Sequence, residues 1–116
     1  MNNIDYNFCG KTNFQEVVSI LNNASLHIDG ECGMVHMRHF MGQKRSVVLF
    51  GPTNINFYGY PENINITSNS CTPCEWLHNN WMKKCIFLKN PNCCMTSITP
   101  QKIIDIIKQT EEKKYE

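Results

Sequence analysis

Four cysteines stand at spacings that suit a metal: Cys71-Thr72-Pro73-Cys74, then Cys85, then one of the Cys93-Cys94 pair. A Cys-x-x-Cys knuckle sets two thiolates along one edge of a tetrahedron, and two later thiolates can close it around zinc or iron. The expected ligands are Cys71, Cys74, Cys85 and Cys94, with Cys93 the rival for the fourth place. Two other readings stay open. The thiols can be reduced and unliganded, or Cys71 and Cys74 can form a redox dithiol, since Cys-Thr-Pro-Cys has the spacing of a thioredoxin-type pair at a helix N-terminus. The late place of the pair in the chain and the cysteines downstream of it favour the metal.

A second constellation is Leu26-His27-Ile28-Asp29-Gly30-Glu31-Cys32-Gly33-Met34-Val35-His36, which reads as strand, glycine-rich turn, helix. Ligands of parallel sheets bind outside the carboxyl ends of the strands, where a helix N-terminus presents free N–H groups to a phosphate. Gly33 would let a diphosphate come close to the backbone. The charge of Glu31 repels phosphate, so its expected role is to accept from sugar hydroxyls. His36, one turn into the helix, is either a ligand contact or a histidine bonded within the fold; His27 and His39 are expected to be structural or exposed. A plain strand-to-helix turn, with glycine for steric reasons, is the alternative, because the generic dinucleotide fingerprint is absent.

These residues need elements to position them. Ile4 to Cys9 reads as a short strand ended by Gly10. Thr12 with Gln15, or Asn13 with Glu16, offers a capping box for a helix over 13–23, on which Phe14, Val17, Val18 and Leu21 recur at helical spacing. Residues 24–29 read as a buried strand. Met34, Met37 and Met41 mark a second helix that stops near Gly42. Val47-Val48-Leu49-Phe50 is the nearly continuous apolar run of a parallel strand covered on both faces, and Ile64-Asn65-Ile66 is a further short strand. From Ser68 to Thr99 the sequence leaves the sheet in a cysteine-rich excursion, with a short helix near Glu75 to Lys84. Pro100 opens a terminal helix carried by Ile103, Ile104, Ile106 and Ile107 and ending in the charged tail Glu111 to Glu116. Alternating strands and helices predict an α/β, Rossmann-like fold with a mostly parallel sheet of about three to four strands.

Composition sets the outer bounds. A chain of 116 residues, 41% hydrophobic and 18% charged, suits one domain over 1–116, with 68–99 as its excursion. A formal net charge of +1 gives no strong field, so neither nucleic acid nor acidic lipid is an expected partner. No apolar run approaches the roughly 20 residues of a membrane span. The N-terminus lacks a secretory pattern and the seven cysteines are an odd number, so the expected compartment is the cytoplasm.

Gly10-Lys11-Thr12, the Leu26 to His36 segment and Val48-Leu49-Phe50-Gly51-Pro52-Thr53, followed by Cys-x-x-Cys and the late Cys94-Met95 with Ile98 and Pro100, resemble glycosyltransferase family 9. These are the ADP-heptose lipopolysaccharide heptosyltransferases, and the resemblance runs from about residue 4 to 108. Its middle motif is an acidic residue, Ser or Thr, Gly, two variable residues and His. The resemblance implies a partial GT-B C-terminal domain that binds a nucleotide-sugar donor, ADP-heptose-like, for transfer of a heptosyl or hexosyl group. By position, Glu31 would contact the donor sugar, Cys32 and Gly33 would lend backbone N–H groups to the diphosphate, His36 would support that loop, and Gly51 and Thr53 would line the crevice. The cysteine series looks like that of autotransporter heptosyltransferases, in which it holds iron. Glu31 stands where Asp is usual and Cys32 where Ser or Thr is usual, so the carboxylate reaches one methylene further. The half of the family's fold with the acceptor site and catalytic base is not represented. The chain alone is therefore expected to be inactive and to pair with a second chain or with itself. A metal-binding interaction module and a Cys-x-x-Cys redox protein are the alternatives from other classes.

Overall fold

The computed structural model describes residues 4–68, 71, 73–87 and 93–115. Helix α1 (Phe14–Asn23) starts from the second of the two capping boxes: Asn13 accepts from the Glu16 N–H and Glu16 from the Asn13 N–H, each at 2.9 Å. Strand β1 (Ile28–Gly30) leads into helix α2 (Gly33–Phe40), after which Gly42 and Gln43 take positive φ values of 92° and 54° and turn the chain. Strand β2 (Val47–Phe50), the one-turn helix α3 (Ile55–Tyr58) and strand β3 (Ile64–Thr67) follow. The one-turn helix α4 (Cys93–Thr96) precedes helix α5 (Pro100–Glu112), capped by Thr99 and continued by a 3-10 turn over Lys113–Tyr115.

The three strands form one parallel sheet in the order β1-β2-β3, with Ile28 opposite Val47 and Val47 opposite Ile64. Period-two alternation along β2 then divides its side chains between two cores. Val48 and Phe50 pack with Val35 of α2, flanked by Cys32, Ile55, Tyr58 and Tyr60. Val47 packs with Ile66 and Ile98, flanked by Leu49, Ile64 and the α5 residues Ile103, Ile106 and Ile107. The result is a three-layer α/β unit with β2 fully enclosed, as the continuous apolar run predicts. Among the described residues no helix is long and apolar enough to cross a membrane.

Several expectations are corrected. Residues 4–9 form no strand. Ile4, Tyr6 and Phe8 are exposed, and the Asn7 side chain accepts from the Cys9 N–H at 3.0 Å, a local bond that competes with extended pairing. The strand expected over 24–29 shrinks to Ile28–Gly30, because Ala24 still caps α1 through its N–H to the Ile20 carbonyl. Glu75 to Lys84 is a run of turns rather than a helix: Trp76 sits at φ 64°, a left-handed conformation that an α-helix cannot absorb. On α2 the buried face is Val35 and Arg38, whereas Met34 and Phe40 are exposed, so the methionine spacing marks the helix but not its core side.

Candidate functional site

The carboxyl ends of all three strands open on one edge, and the residues after them form the site. Beyond β1, the Glu31 N–H still donates to the Leu49 carbonyl at 3.3 Å, so the acidic residue is held at the sheet margin. Cys32 then starts α2 in extended conformation, with no side-chain hydrogen bond capping the helix. The first turn carries the positive end of the helix dipole, with the Cys32 thiol beside the N–H groups of Met34 and Val35. An added Cβ on Gly33 would meet nothing within 4 Å, so the approach to this backbone is open.

Glu31 and His36 meet. Glu31 Oε1 lies 3.1 Å from His36 Nε2, and His36 Nδ1 lies 2.7 Å from the Tyr60 hydroxyl. Asp29, which the sequence reasoning passed over, is a second hub: its Oδ1 accepts from the Gly30 N–H at 2.8 Å, and its Oδ2 accepts from the Cys32 thiol at 3.2 Å and lies 3.3 Å from His27 Nε2. Burial, with the hydrogen bond to the Asp29 carboxylate, pushes the Cys32 thiol above its ordinary value against the opposing pull of the Val35 and Met34 N–H groups. His27 is held between Ser46 and Asp29, and His39 pairs with Glu62, so both are structural. Nothing in a single sequence marks Tyr60, which lies in a loop 24 residues from His36.

Beyond β2, the turn Gly51-Pro52-Thr53 is half-buried and forms the wall between this edge and the cysteine loop. The Pro52 carbonyl accepts from the N–H groups of Cys74 (3.0 Å) and Glu75 (3.1 Å), and the Tyr58 hydroxyl donates to Glu75 Oε1 at 2.8 Å. A Cβ on Gly51 would meet Met95 Sδ at 2.8 Å, so the missing side chain there accommodates α4.

Cys71, Cys74, Cys85 and Cys94 all line one cavity of about 320 Å³, together with Pro52, Trp81 and Met95; Cys93 does not line it. Burial, then the neighbouring Cys94 and Cys85, pushes the Cys74 thiol up; burial, then Cys93 and Cys85, does the same to Cys94. Among the described residues no three His, Cys, Asp or Glu side chains stand close enough together to hold an ion as they are placed. The thiols lining the cavity are soft donors of the kind zinc and iron take, although among the described residues they are not gathered around a common point. The redox alternative lacks its helix: the described residues after Cys74 are turns.

A three-layer unit whose parallel strands end at an uncapped helix start and a glycine-rich turn is consistent with the Rossmann-like class of α/β folds. The profile of glycosyltransferase family 9 (heptosyltransferase) matches residues 1–87, most of the chain, and the protein belongs to that family. No curated protein and no solved structure matches the chain significantly. Membership implies glycosyl transfer from a nucleotide-sugar donor.

Proposed function

We propose that the carboxyl edge of the sheet binds the donor of a family 9 glycosyl transfer, an ADP-heptose-like nucleotide sugar that gives up a heptosyl or hexosyl group. The observation that carries this reading is the open backbone at Gly33 on an uncapped helix start, with the Glu31 carboxylate beside it. In transfer the sugar–phosphate bond breaks and negative charge develops on the leaving diphosphate. The backbone N–H groups of Cys32 and Gly33, aligned with the dipole of α2, stabilise that charge. Glu31 accepts from sugar hydroxyls, and Thr53 and the Gly51 backbone flank the crevice. Free thiols at Cys74, Cys85, Cys93 and Cys94 suit a cytoplasmic setting for this work.

The cysteine loop is, in the same proposal, a brace held by zinc or iron on Cys71, Cys74, Cys85 and Cys94. Its convergence on one cavity supports this, and the Pro52 carbonyl ties it to the turn that flanks the donor. The ion would supply structural closure by holding four thiolates together.

A chemical-shift titration with ADP and ADP-heptose tests the donor reading. Shifts confined to residues 30–36 and 51–53 are expected. The absence of any perturbation there at the highest soluble ligand concentration would leave a metal-binding interaction module without transferase activity as the better reading.

A further inference from the structure

We propose that Tyr60 is a positioning residue for Glu31, acting through the ring orientation of His36; the proposal rests on the reading that Glu31 receives sugar hydroxyls. The His36 ring lies between two groups of unlike hydrogen-bonding character, Glu31 Oε1 at 3.1 Å from Nε2 and the Tyr60 hydroxyl at 2.7 Å from Nδ1. A carboxylate only accepts, so Nε2 must carry the proton for the first bond to exist. In the neutral ring Nδ1 is then an acceptor, and the Tyr60 hydroxyl is the donor that fills it. With Oε1 committed to His36, the carboxylate is fixed in rotation and Oε2 is the oxygen offered to a ligand.

Tyr60 is itself held in place, which a positioning residue requires. Its ring stacks on His39 with centroids 3.7 Å apart and planes within 9°, and His39 Nδ1 pairs with Glu62. Its carbonyl accepts from Asn65 Nδ2 on β3 at 3.1 Å and from the Asn63 N–H at 3.1 Å. The tyrosine ring meets His36 edge-on, at 81°. A rigid line therefore runs from β3 through Tyr60 and His36 to the acidic residue after β1, and the hydroxyl is its one link that can be removed without changing ring packing.

The experiment uses the full chain with Tyr60→Phe, Glu31→Gln, His36→Gln and the His36→Gln/Tyr60→Phe double variant. Nitrogen-15 NMR of the imidazoles reads the tautomer, and titrations with ADP and ADP-heptose read affinity. In the parent chain His36 should be the Nε2–H form; in Tyr60→Phe Glu31 still selects that form, but the Nδ1 resonance should shift as its donor is lost, and ADP-heptose affinity should fall by about 3- to 10-fold, the scale of one neutral hydrogen bond, with ADP unchanged. In the His36→Gln background the donor to Glu31 is an amide with no ring to orient, so adding Tyr60→Phe should have no further effect. An unchanged His36 Nδ1 resonance in Tyr60→Phe overturns the proposal, and so does an equal affinity loss in the His36→Gln background. If Glu31→Gln weakens ADP-heptose and ADP alike, the role of Glu31 toward the sugar fails instead, while the Nδ1 resonance in Tyr60→Phe still decides the part played by Tyr60.

Discussion

Pro52 and Cys74 are joined by a backbone hydrogen bond of 3.0 Å, so the second cysteine of the pair is tied to the turn after β2. The same carbonyl also takes the Glu75 N–H, and Gly51 leaves room for Met95 on the other side. Anything that orders the cysteine loop thereby orders a wall of the proposed donor crevice.

Removing one thiol tests that link. Cys74→Ser should abolish stoichiometric zinc or iron in protein purified without chelator, whereas Cys9→Ser, at an exposed position outside the cavity, should leave it intact. Metal analysis of both variants decides this, and full metal content in Cys74→Ser would rule the site out. Chelation of the parent chain should expose residues 71–87 to protease before the sheet opens, since such a loop draws its folding energy from the ion.

Gly33→Val separates binding from folding. A side chain at this position meets open space and valine is a better helix former than glycine, so stability should hold or rise slightly, by about 0.5 kcal/mol or less. A diphosphate lying on the backbone would collide with the same side chain, and ADP affinity should fall about tenfold or more, about 1.4 kcal/mol. Calorimetric titration beside thermal unfolding reads both; retained ADP binding would move the phosphate away from this helix start.

Arg38 is a stability residue. Its guanidinium is buried and reaches the carbonyls of Leu21, Ala24 (3.2 Å) and Arg45 (2.9 Å), clasping the end of α1 to the loop before β2, while its Nε has no partner. Arg38→Met keeps the stem but leaves three carbonyls without this donor, and should cost about 2 to 4 kcal/mol. Urea unfolding measures it, and a loss below half a kcal/mol would show that water replaces the guanidinium without penalty.

His27 ties stability to pH. Burial lowers its proton affinity below the ordinary value of 6.5, and Arg38 adds to this while Asp29 opposes it. The unfolded chain then binds more protons than the folded one, so stability is full above 6.5 and declines as pH falls toward the depressed folded value. Thermal midpoints from about pH 7.5 to about 5.5 should decline less steeply in His27→Asn than in the parent chain. An identical slope in both would assign the acid sensitivity to another group.

The sequence made β2 legible, because four consecutive apolar residues at the centre of a sheet need no further context. It also placed α1, since the Asn13 and Glu16 side chains are a local signal. It failed at Ile4 to Cys9, where alternation predicts a strand but pairing depends on a neighbour the pattern cannot show. It failed again at Trp76, whose left-handed backbone breaks a helix that residue types alone allow. Within the site, Glu31, Gly33 and His36 were visible as a motif. Asp29 and Tyr60 were not, because their roles arise from partners brought close only by the fold.

The parallel order of the sheet also governs how the chain reaches it. Neither pairing of β2 is a hairpin: β1 joins it across α2, and β3 across α3, so each contact closes a loop before any ladder hydrogen bond forms. The sheet consequently has no local nucleus and should assemble late, around β2 as the strand both neighbours share. Until then Val47 to Phe50 is an uncovered apolar segment of high strand propensity, the kind that recruits other chains. Refolding yield should therefore fall with protein concentration, even under conditions where the finished fold is stable.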